Sequence, residues 1–288
     1  MAMIDLRVGQ PLEWTQSHTV HIVKTIYNAI NTTGRALYQV KNQEDGLQYA
    51  MKVFDDSLND SRAIHTELVA LNRQVQLPSL LPRFRSIFAR QGFTYIFMDW
   101  MDGDTFDDVT KREPALDRES FSLRVAMIVE MAKTIERIHQ ARFIHRDIKP
   151  QNMLLRNRRS PRDGVAVIDF GSSAVKRVLE EGTLDYQSPE QAGRRDFNLS
   201  PATDVFGMGQ VGWFLFTGAP LLRFPNDTVT DWAGGLDCRL SANESRIPGI
   251  DELQGVLLKS MNYNPKNRYQ DSSQFKAAVM NVQRKYFS

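Results

Sequence analysis

The residues of this chain with the clearest capacity for chemistry lie in two short segments. Residues 145–152 read His-Arg-Asp-Ile-Lys-Pro-Gln-Asn, and seventeen residues after this run the chain reads Asp-Phe-Gly at 169–171. Transfer of a phosphoryl group from ATP needs one carboxylate that orients the attacking hydroxyl and accepts its proton, and two oxygen ligands that hold Mg²⁺. Asp147, Asn152 and Asp169 are side chains of the required types.

Both segments resemble the catalytic core of the protein kinase family, in the family's order and spacing. The resemblance implies that Asp147 is the catalytic base and that Asn152 and Asp169 bind the metal ion. It also implies that Lys149 neutralises charge on the transferring phosphoryl group. A lone Asp-Phe-Gly occurs by chance in many chains, whereas an eight-residue match completed at the right distance by a second motif is specific. The expected cofactors are ATP and Mg²⁺, with Mn²⁺ as an alternative ion.

A lysine upstream of these segments is the candidate for phosphate binding. Residues 49–53 read Tyr-Ala-Met-Lys-Val, which resembles the strand that carries the phosphate-binding lysine of kinases. By this resemblance Lys52 grips the α- and β-phosphates. Apolar residues recur at helical spacing in 62–71, so this segment is predicted to be a helix, and its Glu67 would pair with Lys52. The alternative for each residue is an ordinary solvated charge.

The glycine-rich turn of the family is the landmark from which this chain departs. Where the family has Gly-x-Gly-x-x-Gly over the phosphates, residues 26–40 retain only Gly34. Asn31 and Thr33 can still place N–H groups or a hydroxyl near a phosphate, so we expect a nucleotide-binding turn that orders when phosphate binds. Alternatively, this strand-turn-strand merely completes the sheet, and Lys52 and Mg²⁺ hold the phosphates.

The run 93–99, Phe-Thr-Tyr-Ile-Phe-Met-Asp, has the composition of a β-strand and resembles the strand that enters the kinase hinge. The resemblance implies a set of adenine contacts: Met98 at the back of the pocket, backbone groups of Asp99 and Met101 at the adenine edge, and Ala50 and Leu154 on its two faces. These positions are also ordinary core positions, so their binding role rests on the resemblance alone.

The segment 182–191 favours a protein as the substrate. It contains Ser-Pro-Glu and resembles the peptide-binding end of the kinase activation loop, which small-molecule phosphotransferases of related fold generally lack. By the same resemblance, Lys149 and Thr183 stand where serine/threonine kinases have a lysine and a hydroxyl, whereas tyrosine kinases usually differ at both places. The family pattern further implies a buried structural ion pair between Glu190 and Arg268.

Arg146 bears on activation, because an arginine before the catalytic aspartate usually pairs with a phosphate on the activation loop. Between Ala174 and Gly182 this chain has no hydroxyl side chain. We therefore expect Glu180 or Glu181 to supply the anion permanently. The alternative is that both are solvated loop glutamates.

The amino-acid composition argues against several kinds of partner and site. Lys plus Arg number 36 and Asp plus Glu 34, so the formal net charge is +2, and no global field indicates nucleic acid or an anionic membrane. The lone Cys238 excludes an internal disulfide and cysteine-rich metal sites. The arginine-rich segment 156–163 is interpreted as a solvated loop rather than as a nucleic-acid site. No signal sequence or apolar run long enough to cross a bilayer is apparent, so we expect a cytoplasmic protein without membrane insertion.

We therefore expect an α+β, two-lobed protein-kinase-like fold. Its parts would be an N-terminal extension (1–19), a β-rich N-lobe with hinge (20–101) and a helical C-lobe (102–288). In the C-lobe, Ile128, Met131, Ile135 and Ile138 share one face of a predicted helix. The predicted function is an ATP-dependent serine/threonine protein kinase. A small-molecule phosphotransferase and a weakly active pseudokinase scaffold are the alternatives, and the sequence specifies neither the substrate protein nor the oligomeric state.

Overall fold

The structure of the chain is a computed structural model. The residues it describes are 6–15, 18–59, 64, 68, 80–113, 117–157, 160–169, 186–192, 198–221 and 247–287. They divide into two compact units, Met1–Met101 and Asp102–Ser288. Several residues singled out above lie outside the described part of the chain, namely Glu67, Phe170, Gly171, Glu180, Glu181 and Thr183.

The first unit is built on a six-stranded sheet. Its strands are β1 (Pro11–Thr15), β2 (His18–Ala29), β3 (Arg35–Asn42), β4 (Gln48–Asp55), β5 (Phe84–Arg90) and β6 (Phe93–Asp99). Their order is β1-β2-β3-β4-β6-β5, and every neighbouring pair is antiparallel. Strand β1 comes from the segment that the sequence analysis set apart as an extension, and it pairs with β2.

Strand β4 is buried on both faces, and this decides where Lys52 lies. Met51 and Val53 belong to an apolar core on one face of the sheet. Ala50 and Phe54 belong to a second apolar cluster. Because successive side chains of a strand point to opposite faces, Lys52 shares the face of Ala50 and Phe54.

Trp14 connects the two edges of the sheet. Its ring stacks on Phe97 at a centroid distance of 4.6 Å and meets Tyr49 edge-on at 4.8 Å. Its indole N–H donates to the hydroxyl of Ser86 in β5. Glu13 also pairs with Arg90 of β5 at 3.4 Å. The side chains of β1 therefore reach the opposite edge strand, and the sheet curls around its first core.

The second unit is mainly helical. Its α-helices are α1 (Phe106–Arg112), α2 (Arg118–Gln140), α3 (Pro201–Thr217), α4 (Ile250–Ser260) and α5 (Ser272–Tyr286). A small sheet contains β7 (Asp104–Thr105), β8 (Met153–Leu155) and β9 (Val165–Val167), in that order. The predicted apolar face of α2 is buried at Ile128, Met131, Ile135 and Ile138.

Helix α3 is the buried centre of this unit, with every residue from Ala202 to Phe216 buried. Gly207 allows the chain around Ile148 to approach it closely, since a Cβ at this glycine would lie 2.9 Å from Ile148 Cβ. In the part of the chain that the structure describes, no helix has both the length and the apolar character needed to span a membrane.

Candidate active site

The β8–β9 hairpin brings the two predicted metal ligands to the same end of the small sheet. Asn152 directly precedes β8, and Asp169 follows β9 by two residues. The backbone N–H of Ile168 donates to the carbonyl of Asn152 at 3.0 Å, which continues the hairpin pairing by one step. Antiparallel pairing thus makes neighbours of residues that are far apart in sequence.

Asn152 also holds the proposed base. Its side-chain Nδ2 donates to Oδ2 and to the backbone carbonyl of Asp147, both at 2.9 Å. A carboxamide has two N–H donors and one carbonyl acceptor. Since both donors go to Asp147, the atom that Asn152 has left for a cation is its Oδ1, the kind of oxygen that Mg²⁺ accepts.

Lys149 reaches the same carboxylate. Its Nζ lies 2.9 Å from Asp147 Oδ2, and both side chains are partly exposed. Lys149 and Asn152 therefore converge on one oxygen of Asp147. The arrangement places a carboxylate, an ammonium group and a potential metal ligand within one short loop, where a hydroxyl and a phosphoryl group could meet.

The backbone of this loop is held by a buried aspartate from helix α3. Arg146 has a left-handed conformation with φ of 67°, which is unfavourable for a non-glycine residue. Asp204 Oδ1 accepts the N–H of Arg146, and its Oδ2 accepts the N–H of His145, both at 2.8 Å. His139 Nε2 lies 2.8 Å from the same Oδ2. Asp204 thus stabilises the unusual turn before Asp147.

Asp169 has a left-handed backbone as well, with φ of 62°. Strained backbone at non-glycine residues often occurs at functional sites, where the surrounding structure maintains it.

His145, which is 0% exposed, lies in the loop that carries Asp147. Burial lowers the pKa of His145 despite the nearby Asp204 and Asp147 carboxylates, which act in the opposite direction. The imidazole is therefore a neutral, packed part of the loop rather than a charged one.

The predicted ion pair between Glu190 and Arg268 is confirmed. The pair is bidentate, with Nη1–Oε1 of 2.8 Å and Nη2–Oε2 of 2.9 Å, and both side chains are 0% exposed. The other guanidinium N–H groups donate to the carbonyls of Asn262, Ala202 and Tyr263. Every donor of this buried arginine is therefore used.

Burial by itself raises the pKa of Glu190, but the hydrogen bonds and charge of Arg268, aided by Thr203, bring it below its ordinary value. The pair fixes the end of the predicted peptide platform, residues 188–190, against the body of the second unit. This agrees with the structural role that the sequence analysis assigned to it.

Comparison with known proteins decides the family. The family description "Protein kinase domain" matches residues 32–280. The chain belongs to the protein kinase family. Membership implies the use of ATP with a divalent metal ion, and it confirms the resemblance drawn from residues 145–152 and 169–171.

Curated relatives of this kinase chain are serine/threonine-protein kinases of mycobacteria. PknB of Mycolicibacterium smegmatis is 28% identical over 198 residues, which cover 65% of this chain and 30% of PknB. PknB of Mycobacterium tuberculosis is 29% identical over 204 residues, with the same coverage. PknF of Mycobacterium tuberculosis is 28% identical over 201 residues, or 65% of this chain and 40% of PknF. The chain thus matches less than two thirds of the length of each relative.

Among solved structures, the kinase domain of Mycobacterium tuberculosis PknI superimposes with a TM-score of 0.65 at 19% identity, covering 91% of this chain and 95% of that domain. A second crystal structure of the same domain gives the same TM-score, identity and coverage. At this level of identity the likeness concerns the fold. The predicted α+β protein-kinase-like fold is confirmed.

Lys52, the predicted phosphate-binding lysine, lies on the face of β4 that its position in the strand predicts. Lys52 is 3% exposed, and its Nζ is 5.6 Å from the centre of the Phe54 ring. Ile64 and Leu68, which are helical, pack against the same cluster. Glu67 lies between these two in sequence but outside the described residues, so its pairing with Lys52 stays a prediction. A buried ammonium group needs a partner of opposite charge, which favours the pairing.

The turn between β2 and β3, where the family has its glycine-rich loop, closes on itself. The N–H groups of Thr32 and Thr33 donate to the carbonyl of Ala29 at 3.1 and 2.8 Å, and the N–H of Gly34 donates to that of Ile30 at 3.1 Å. The N–H of Ile30 donates to Asn28 Oδ1 at 3.2 Å. The turn is closed by hydrogen bonds of its own, and its ordering by phosphate stays a prediction.

Ile30, at this turn, is buried in the first core together with Met51 and Val53, on the face opposite Lys52. Gly34 has φ of 71°, and a Cβ there would lie 2.5 Å from Asn59 Nδ2. The Gly34 carbonyl accepts this Nδ2 group at 2.9 Å. The glycine therefore permits close packing against the chain that follows β4, and its contact with nucleotide stays a prediction.

Four of the predicted adenine contacts are buried core residues of the unit to which each belongs, namely Ala50, Met98, Met101 and Leu154, whereas Asp99 is partly exposed. Ala50 pairs with Met98 across β4 and β6, and Leu154 lies in β8. The backbone N–H of Asp99 donates to the carbonyl of Arg83 at 2.9 Å. Its backbone carbonyl is therefore the group that would accept a hydrogen bond from the adenine amine. Its carboxylate pairs with Arg85. Their adenine-binding role, with that of Met101, stays a prediction.

Two functional residues were missed by the sequence analysis. Asp204 was not singled out, although an aspartate at the head of an apolar segment was a usable signal for a buried hydrogen-bond acceptor. Gln191, which contacts the backbone of Arg146, offered no signal in the sequence. Both act on the loop from a distance of many residues along the chain.

Proposed function

We propose that this chain is an ATP-dependent serine/threonine protein kinase that transfers the γ-phosphoryl group of Mg-ATP to protein hydroxyls, including its own. One observation carries the proposal: Lys149 and Asn152 both contact Oδ2 of Asp147 at 2.9 Å. This arrangement has a base, a positive charge and a metal-ligating oxygen within one loop. Phosphoryl transfer depends mainly on such placement and on electrostatic stabilisation.

In the proposed mechanism, Asp147 orients the substrate hydroxyl and accepts its proton as the oxygen attacks the γ-phosphorus. Lys149 places its ammonium group beside the transferring group, where it offsets the negative charge of the equatorial oxygens. Asn152 keeps the Asp147 carboxylate directed at the hydroxyl by donating to Oδ2. Lys52 grips the α- and β-phosphates, and Glu67 pairs with Lys52.

Asn152 and Asp169 are proposed to hold Mg²⁺, and the residues fit such an ion. The carboxamide of Asn152 has its oxygen left over, and Asp169 offers a carboxylate at the same end of the hairpin. Among the described residues no group of three or more His, Cys, Asp or Glu side chains could hold a metal. Two protein ligands completed by phosphate oxygens and water are the usual arrangement for Mg²⁺. The chemistry that the ion supplies when bound is neutralisation of phosphate charge.

The serine/threonine specificity is supported by Lys149, by Thr183 and by the named activity of the PknB and PknF relatives. The Ser-Pro-Glu segment at 188–190, fixed by the Glu190–Arg268 pair, supports a protein substrate. A small-molecule phosphotransferase and an inactive scaffold are not favoured. A cytoplasmic location, the absence of a nucleic-acid partner and the division into residues 1–19, 20–101 and 102–288 stay predictions.

The experiment is a transfer assay with γ-labelled ATP, in which generic protein substrates and a pool of small metabolites are presented separately. Wild type should label protein, and Asp147→Asn should not. Asp163→Asn, in the exposed turn between β8 and β9, is the matched control for removing one carboxylate and should remain active. Label that enters only metabolites would indicate the small-molecule enzyme, and no label from wild type would indicate the scaffold.

A further inference from the structure

Gln191 links the Ser-Pro-Glu segment to the catalytic loop. Its Oε1 accepts two hydrogen bonds from Ser188, one from the backbone N–H and one from the hydroxyl, both at 3.1 Å. Its Nε2 donates to the backbone carbonyl of Arg146, 45 residues earlier in the chain. Arg146 directly precedes Asp147. One amide side chain thus uses its acceptor on the peptide-platform segment and its donor on the loop that carries the proposed base.

The peptide group that Gln191 contacts joins Arg146 to Asp147, so its orientation affects the position of the proposed base. Arg146 has φ of 67°, and its N–H is already held by Asp204 Oδ1 at 2.8 Å. Gln191 holds its carbonyl. The residue before the base is therefore fixed at its N–H by helix α3 and at its C=O by the segment that would receive a substrate peptide. A left-handed residue held at both polar groups has little freedom to rotate.

A small pocket beside Asp147 is lined by the same elements. Asp147 lines it from the catalytic loop, Tyr186 and Gln191 from the platform segment, and Asp204 and Gly207 from helix α3. All three elements therefore meet at this pocket. Gln191 contributes the hydrogen bonds that join the first two, whereas Asp204 joins the first and the third.

We propose that Gln191 is a positioning residue for Asp147. Through the Arg146 carbonyl it sets the direction in which the Asp147 carboxylate leaves the loop, and through Ser188 it ties that direction to the platform on which the substrate hydroxyl is presented. The inference rests on the proposed kinase function. It assigns Gln191 no contact with nucleotide, so its loss should slow transfer without weakening ATP binding.

The decisive variant is Gln191→Glu, which keeps an acceptor for Ser188 and loses the donor to the Arg146 carbonyl. We expect kcat toward a peptide substrate to fall about fivefold to tenfold, as for the loss of one hydrogen bond. KM for ATP should change by less than about twofold. Ser188→Ala removes one of the two hydrogen bonds that Gln191 Oε1 accepts and leaves the donor to Arg146 in place, so it should lower kcat less than Gln191→Glu does. Gln274→Glu, an exposed residue at the start of α5, controls for the added charge.

A purely structural role for Gln191 predicts another pattern, in which apparent kcat falls only in proportion to the folded fraction of the variant. A positioning role predicts a loss of kcat larger than the loss of folded protein, with KM for ATP near that of wild type in both cases. Thermal unfolding of each variant separates the two. If Gln191→Glu does not fold, Gln191→Met provides the same comparison without a buried charge. An unchanged kcat in a folded variant overturns the proposal. Wild type inactive toward protein removes the proposed function itself, whereas active wild type with an equally active Gln191→Glu removes only this inference.

Discussion

Asn152 donates both hydrogens of its side-chain amide to Asp147, one to the carboxylate and one to the backbone carbonyl, each at 2.9 Å. The residue therefore has two tasks, because the same geometry leaves its oxygen for a metal ion. Replacing it should remove at once the orientation of the proposed base and one proposed metal ligand.

We expect Asn152→Leu to reduce kcat by at least about a hundredfold, the usual loss when a group positioned for the transition state is removed. Asn157→Leu, on the same hairpin but outside the loop, is the comparison. Steady-state phosphorylation of a peptide measures both. A loss of less than about tenfold in Asn152→Leu would mean that Asp147 needs no such support.

Asp147→Asn and Asp169→Asn are expected to differ in nucleotide binding although both abolish transfer. Asp147 acts on the hydroxyl, whereas Asp169 is the proposed metal ligand, so only the second should weaken Mg²⁺-dependent binding of ATP. Titration calorimetry with and without Mg²⁺ measures the difference. Equal, Mg²⁺-dependent affinities in Asp169→Asn and wild type would remove Asp169 from the metal site.

The Glu190–Arg268 pair predicts a strong and asymmetric effect on stability. Arg268→Met leaves the Glu190 carboxylate buried without its partner and should lower the free energy of unfolding by about 3–5 kcal/mol. Adding Glu190→Gln to this variant removes the stranded charge and should recover part of the loss. Chemical denaturation of the three proteins tests this. A double variant less stable than Arg268→Met would show that the charge of Glu190 has another partner.

The turn between β2 and β3 gives a test of the missing glycines. Converting Asn28 and Ile30 to Gly removes the side-chain acceptor of the turn and a buried apolar group, so we expect destabilisation of about 2–5 kcal/mol and a higher KM for ATP. Thr32→Ser, which keeps the hydroxyl in the same turn, is the control. A lower KM for ATP in the double glycine variant would show that side chains in this turn restrict nucleotide binding.

Because His145 is buried, we expect the protein to lose stability in mild acid. Burial depresses its pKa in the folded protein from the ordinary 6.5. As pH falls below about 6.5, the unfolded chain binds a proton that the folded protein does not, so stability falls by up to about 1.4 kcal/mol per pH unit. The pKa of Glu190 is also lowered from its ordinary 4.5, so Glu190 contributes to the loss of stability only below about pH 4.5.

Melting temperatures between about pH 7.5 and about pH 5.5 test the contribution of His145. The His145→Gln variant should show a flatter profile than wild type over this range. Parallel profiles for wild type and His145→Gln would mean that other groups control the acid sensitivity.

The amino-acid sequence by itself determined the family, the fold class and the local chemistry of the loop. Lys149 and Asn152 follow Asp147 by two and five residues, so short-range geometry already brings them to it. Residues 49–53 likewise resembled the lysine-carrying strand of kinases, and the chain forms strand β4 there. Such features depend on spacing along the chain, which can be read without knowing the packing.

Only the tertiary structure decided which distant residues hold the loop. Asp204 and Gln191 meet the backbone of Arg146 across 58 and 45 residues, and Trp14 reaches Ser86 across 72. The turn around Gly34 depends on distant residues in the same way, because Asn59 donates to the Gly34 carbonyl and Ile30 is buried in the first core. Contacts of this kind depend on how buried surfaces fit together, and no local pattern in the sequence encodes that fit.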